Sequence, residues 1–194
     1  MPNWCENNVT IGHKLKRKLI PLAKECMKNK HNLFNLIMPQ PDWMTTPNDK
    51  GELPKLKWIK NKKGERVMQV KEFPDGTHDD RWYDWRCVNW GTKWDVNEFY
   101  QDSFPIDYHD ADKADIDRSY NYELDIGFDS AWSPPLGIYN ELVKQGFYVC
   151  ANYIEGGNGY CGEWLNGNDS EYSFDDDNLP KQFKEQVQQW RAED

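Results

Sequence analysis

The chain has 194 residues, of which 38% are hydrophobic and 29% charged, and a net charge of −9. Ten Trp, ten Tyr and eight Phe supply the bulk of a core that few aliphatic residues could fill, since each large ring buries about 150–250 Å², and this excludes a disordered chain. Five cysteines, odd in number and scattered at 5, 26, 87, 150 and 161, exclude a simple disulfide framework, and the run Leu36-Ile37-Met38 is too short to cross a bilayer.

The charge is unevenly spread. Residues 1–75 hold fifteen Lys/Arg against eight Asp/Glu, and the remainder nine against twenty-five, which is not the pattern of a uniform nucleic-acid binder. The start, Met1-Pro2-Asn3-Trp4-Cys5, lacks the basic region and apolar run of a secretory signal. With unpaired cysteines this points to a reducing cytoplasm.

In chain order, residues 7–12 read as a short strand closed by glycine. Leu15, Leu19, Leu22, Ala23, Cys26 and Met27 then follow helical spacing, with Lys14, Lys16, Arg17 and Lys18 on the outer side and Pro21 off the apolar stripe. Residues 33–38 read as a second strand, closed by Pro39 and Pro41. Residues 56–60 and 66–71 flank Asn61-Lys62-Lys63-Gly64-Glu65 as a basic hairpin bearing Trp58. Asp79 or Asp80 caps a short helix with Trp82 and Trp85, and Gly91 sits where a left-handed terminator is wanted. Residues 102–118 read as an acidic surface loop.

The second half is more regular. Tyr120, Tyr122, Leu124, Ile126 and Phe128 alternate with polar residues, the mark of a half-buried strand. Ser133 and Pro134 open a helix with Leu136, Tyr139, Leu142 and Val143 on one stripe, ended by Gly146. Phe147, Val149, Ala151 and Tyr153 alternate again, and Asn158-Gly159 predicts a two-residue turn into a return strand over 160–165. That turn places Tyr153 opposite Trp164 and Glu155 opposite Gly162. Pairing is expected to fade at Asn166-Gly167, with an acidic loop over 169–178 before a C-terminal helix carrying Phe183, Val187 and Trp190. The fold class is α+β: a ferredoxin-like split βαβ sheet with helices on one face, in a single domain of core 1–38 and 119–194. Residues 39–118 are a long insertion carrying the β-hairpin and the Trp-rich helix.

Four short motifs stand out: Met1-Pro2-Asn3-Trp4-Cys5-Glu6-Asn7-Asn8, Asn89-Trp90-Gly91-Thr92-Lys93-Trp94-Asp95, Ala131-Trp132-Ser133-Pro134-Pro135 and Tyr153-Ile154-Glu155-Gly156-Gly157. Together and in this order they resemble the YubB-like, ferredoxin-like domain proteins of phages and plasmids. The resemblance implies a mobile-element accessory protein in a bacterial cytoplasm, and it carries no catalytic residues, cofactor or established activity.

The residues themselves offer little chemistry. There is no Cys-x-x-Cys or His-x-x-x-His among the five cysteines and four histidines, so neither a metal nor an iron–sulfur cluster is expected. Gly156-Gly157-Asn158-Gly159 is better read as a hairpin turn than as a phosphate cradle. Two groups of candidates remain. A polar and aromatic cluster of Trp90, Lys93, Trp94, Asp95, Glu155 and Trp164 brings Glu155 near the core, where its carboxylate needs a cation or N–H donors, with Lys93, Trp90 or Trp94 as nominees. A binding arm of Trp58, Lys60, Lys62, Lys63 and Arg66 has the composition for phosphate contacts and base stacking, or for docking on an acidic protein. The acidic stretches could conversely imitate the charge of DNA. The leading expectation is a non-catalytic protein that binds a bacterial host protein, in the manner of a counter-defence inhibitor. The alternatives are a nucleic-acid-binding module using hairpin 55–71, and an enzyme built on Glu155, Lys93 and Asp95.

Overall fold

Period-two alternation at the two ends of the chain builds one sheet, and the aromatic middle closes it. The computed structural model describes residues 3–28, 32–100, 106–108 and 120–193. Among these the order is β1 (Trp4–His13), α1 (Lys16–Cys26), α2 (Leu33–Ile37), β2 (Lys55–Lys60), β3 (Arg66–Glu72), α3 (Arg81–Asn89), β4 (Ile106–Tyr108), β5 (Tyr122–Ala131), α4 (Leu136–Lys144), β6 (Tyr148–Glu155), β7 (Tyr160–Leu165), β8 (Asn168–Ser173) and α5 (Lys181–Glu193). The protein is α+β. Its main sheet runs β4-β5-β1-β6-β7-β8 with every neighbouring pair antiparallel, and β2-β3 forms a separate two-stranded ribbon. The central strand β1 sets Val9 opposite Ile126 on one side and Ala151 on the other.

On one face, Val9, Ile11, Leu124, Ile126, Phe128, Val149 and Ala151 meet the apolar stripes of three helices. Helix α1 contributes Leu19, Leu22, Ala23 and Cys26, α2 contributes Leu33, Phe34 and Ile37, and α4 contributes Ile138, Tyr139 and Leu142. Each buried side chain of this size stabilises by about 1.5–3 kcal/mol. Edge-to-face rings link the layers, with Phe34 5.6 Å from Phe128 and 5.9 Å from Trp90. Asn7 lies fully buried in this face with its polar atoms paired. Its Nδ2 donates to the Cys5 carbonyl at 2.7 Å and to Ser130 Oγ at 2.8 Å, and its Oδ1 accepts from the Tyr139 hydroxyl at 2.9 Å.

Several expectations need correction. Helices do not keep to one face. Phe183 and Val187 of α5, with Leu179, pack on Ile154 and Cys161, which alternate to the side opposite Tyr153 and Trp164. Of the stretch 33–38 expected as a strand, Leu33–Ile37 is helical, because Asp95 holds its first turn: Oδ1 accepts the Phe34 N–H at 2.9 Å and Oδ2 the Asn35 N–H at 3.0 Å. Residues 168–173 are a strand, β8, rather than loop: Asn166 and Gly167 take positive φ of 45° and 101° and return the chain onto β7. The hairpin between β6 and β7 has four connecting residues, so Tyr153 faces Gly162 and Glu155 faces Tyr160. Ser133 does not cap α4. Pro134 and Pro135 have no N–H for it to accept, and its hydroxyl donates instead to the Gly91 carbonyl at 2.6 Å. The stretch taken as an insertion sends Trp90, Val96 and Phe99 into the main core. Of the expected acidic loop over 102–118, all but β4 lies outside the described residues.

Candidate functional site

All four sequence motifs meet at one end of the sheet, where β1 begins, β5 ends and β6 turns into β7. Trp132 N–H donates to the Asn3 carbonyl at 2.9 Å, Thr92 Oγ1 to the Ala131 carbonyl at 2.8 Å, and Tyr160 hydroxyl to the Trp132 carbonyl at 2.8 Å. Gly91, at φ 85°, supplies the left-handed residue that ends α3, and Gly137 lets α4 touch it: a Cβ there would overlap the Asn89 carbonyl. Gly157 similarly leaves room for the Asn3 side chain. Trp132 itself has φ 68°, an uncommon conformation for a bulky residue, and it is held by these three neighbours.

Cations are threaded through the aromatic rings of this junction. Lys93 Nζ lies 4.7 Å from the Trp94 ring, 5.0 Å from Trp132 and 5.4 Å from Tyr83, and Trp4 stands 5.9 Å from Trp94. Arg86 sits 4.7 Å from Trp90 and 5.1 Å from Trp82, and Arg81 lies between Trp43 and Phe73 at 5.1 and 5.0 Å. Helix α3 buries none of its own residues fully, and it is fastened to the body by the Arg81 and Lys93 ring contacts, by Trp85 packed on the main core, and by Arg86 Nε donating to Gln40 Oε1 at 3.0 Å. Burial lowers the Arg86 pKa. Hydrogen bonds from Arg81 hold the Asp79 carboxyl below its ordinary range, with Nε 2.7 Å from Oδ1 and Nη2 2.9 Å from Oδ2.

The nominated cluster is thereby divided among separate tasks. Glu155 is fully buried, yet its partners are neither Lys93 nor the tryptophans. Oε1 accepts the Gly157 N–H at 3.1 Å and Oε2 the Asn158 N–H at 2.7 Å, so the carboxylate braces its own loop. Asp95 fixes α2 and accepts the Val96 N–H at 2.8 Å, and burial raises its pKa against those donors. Trp90 Nε1 donates to the Met38 carbonyl at 2.9 Å. Trp164 is buried against Tyr139 at 5.5 Å. Glu155, Lys93 and Asp95 each face a different neighbour, and among the described residues no hydrogen bond or ion pair joins them. Three buried thiols are held in their neutral form. Burial, then the charge of Glu155, pushes the Cys5 thiol far up, and burial takes Cys26 to about 12 and Cys161 to about 11. Among the described residues, no three His, Cys, Asp or Glu are grouped to hold a metal ion, and no helix is long and apolar enough to cross a membrane.

The hairpin is the opposite case, a polar and apolar surface with little assigned to it. Opposed residues share a face, so Leu56, Trp58 and Lys60 lie with Lys71, Gln69 and Arg66. Arg66 stacks over Trp58 at 5.5 Å. Leu56, Trp58, Val67 and Met68 are all exposed, and Lys60, Lys62 and Lys63 are exposed beside them. The structure thus brings the five predicted arm residues together at one hairpin end, well apart in role from the junction. Sequence reasoning missed Asn7, Tyr83 and Trp4 as junction members. The repeated pairing of Trp with Asn marked Trp4, whereas nothing local singled out Tyr83. No family model, curated protein or solved structure matches this chain.

Proposed function

We propose that this chain is a non-catalytic accessory protein of a phage or plasmid, acting in the bacterial cytoplasm by binding a host protein through the β2-β3 hairpin. The YubB-like resemblance supplies the mobile-element setting, and a counter-defence inhibitor is the role that fits it. A ferredoxin-like fold is part of this reading. It is supported by the order β6-β1-β5-β4, with α4 joining two strands that flank β1. The observation that carries the function is the bare hairpin. It exposes Leu56, Trp58, Val67 and Met68 next to a set of cations. Aliphatic surface of this kind is what a protein partner buries, whereas a phosphate-tracking arm needs only cations and rings.

Affinity capture from bacterial lysate, with and without nuclease, tests this. A discrete protein should persist after nuclease and be lost when Leu56 and Trp58 become Ser. A second reading, nucleic-acid binding, draws on the stack of Arg66 over Trp58, which resembles a base-stacking platform. Capture of nucleic acid alone, weakening steeply with salt and abolished by Lys60→Glu, Lys62→Glu and Lys63→Glu, would replace the first reading with the second.

A further inference from the structure

We infer that the outer edge of β3 is a strand-addition site for an extended, acidic peptide segment of the protein partner. This rests on the hairpin-docking reading and names the chemistry of the partner. The inner edge of β3 is paired with β2 along its length. On the outer edge the chain doubles back after a tight turn. Phe73 N–H donates to the Thr77 carbonyl at 2.8 Å and Asp79 N–H to the Lys71 carbonyl at 2.9 Å, bridging Glu72 to His78. That third strand then stops, because the chain turns at Asp80 into α3. Lys71 therefore directs its backbone outward. Since the direction alternates along a strand, Gln69 directs its N–H and C=O the same way, with no strand beside it among the described residues.

A groove of about 430 Å³ occupies the place the third strand vacates. Residues 68–71 form one wall, and residues 78–80 with Trp82 form the other. Four consecutive residues of one strand line it, from both faces of the ribbon, so it runs along the strand's edge. Met68, Val70 and Trp82 give it apolar ground for alternate side chains. Of the carboxylates nearby, Glu72 is paired with Lys57 at 2.7 Å, Asp79 with Arg81, and Glu65 accepts from Asn61, while Asp80 lines the groove exposed. Lys71 offsets Asp80 within the groove, and Lys60, Lys62, Lys63 and Arg66 continue the positive charge along the hairpin beyond its end. Extended backbone therefore meets the free edge, alternate apolar side chains meet Met68 and Trp82, and Asp or Glu on the segment meets the cations.

The test uses the full chain and an unbiased display library of twelve-residue peptides. The most enriched peptide is synthesised with a fluorophore and followed by anisotropy. The expected sequence alternates apolar residues with Asp or Glu. Methylating the backbone nitrogens of one alternate set should weaken binding about tenfold, the loss of one or two hydrogen bonds, while methylating the other set leaves it unchanged. Exchange of the Gln69 amide should slow on binding, and Gln69→Pro, tolerable on an edge, should abolish binding. Binding indifferent to both methylation sets, an unchanged Gln69 amide, or no enrichment overturns the inference. If it fails while capture of the lysate protein still depends on Leu56 and Trp58, the edge site falls and the docking reading stands. If capture fails as well, both fall.

Discussion

The ring-enclosed ammonium of Lys93 offers a measurable division between strut and binding site. Lys93→Met keeps the length and apolar stem of the side chain and removes the charge from a position about 5 Å from three rings. Trp132 remains 39% exposed, so the contact is only partly desolvated. A single exposed cation–π contact is worth about 0.5–1 kcal/mol and a desolvated one about 2. For the partly open arrangement the loss should be about 1.5 kcal/mol, lowering Tm by about 3–6 °C in a chain of this length. Thermal melts of the wild type, Lys93→Met, Trp132→Leu and the double variant give the coupling. It should be about 0.5 kcal/mol or more, with Lys93→Arg retaining most of it. Partner capture should be unchanged in Lys93→Met. A coupling of zero would refute the structural assignment, and lost capture at unchanged Tm would make the junction the recognition site instead.

Two further outcomes follow from the buried carboxylates. Asp79 is held below its ordinary pKa, so its pairing with Arg81 stabilises the fold above the unfolded carboxylate value near about 4 and is lost as pH falls through the lower folded value; the gap in urea midpoint between wild type and Asp79→Asn should therefore be largest at pH 7 and shrink towards pH 3. Glu155→Gln keeps one acceptor and turns an amide against a backbone donor, which should cost about 1–3 kcal/mol in urea unfolding, and wild-type stability in that variant would remove the loop-bracing role.

What the sequence made legible depended on where the governing contacts lay. Strands β5 and β6 and helix α4 were readable because each carries its own period and burial follows it, and the β2-β3 hairpin because its turn residues mark it. Helix α2 was not, because a short apolar run fits strand and helix alike, and Asp95, some sixty residues away, decides between them. The β6–β7 register shifted by two for a similar reason: Asn158-Gly159 alone favours a two-residue turn, but the Glu155 side chain takes the Gly157 and Asn158 amides and draws four residues into the loop. Strand β8 escaped notice because, at the sheet edge, Asp169, Ser170 and Glu171 stay exposed and no alternation remains. The site candidates divided in the same way. The arm residues are close in sequence and lie together on the hairpin, whereas the nominated cluster of Trp90, Lys93, Trp94, Asp95, Glu155 and Trp164 is split among different partners that no local pattern marks.

The assignment of the junction's polar groups is also the reason the proposed recognition is placed at the hairpin. A surface can bind a partner only with groups whose own folding has not already used them. Asp95, Glu155, Asn7 and Trp90 Nε1 are each consumed by backbone or buried partners, and Lys93, Arg86 and Arg81 by rings. Releasing Asp95, Glu155, Asn7 or Trp90 Nε1 to a ligand would leave a donor or acceptor of the fold unpaired, a cost of about 1–3 kcal/mol that binding must first offset. The β2-β3 ribbon carries no such burden. Leu56, Trp58, Val67 and Met68 remain exposed on this ribbon and so add little to its stability, which leaves them available to the proposed partner. On that reasoning, substituting all four by Ser and Thr should lower Tm far less than Lys93→Met does, while removing capture altogether.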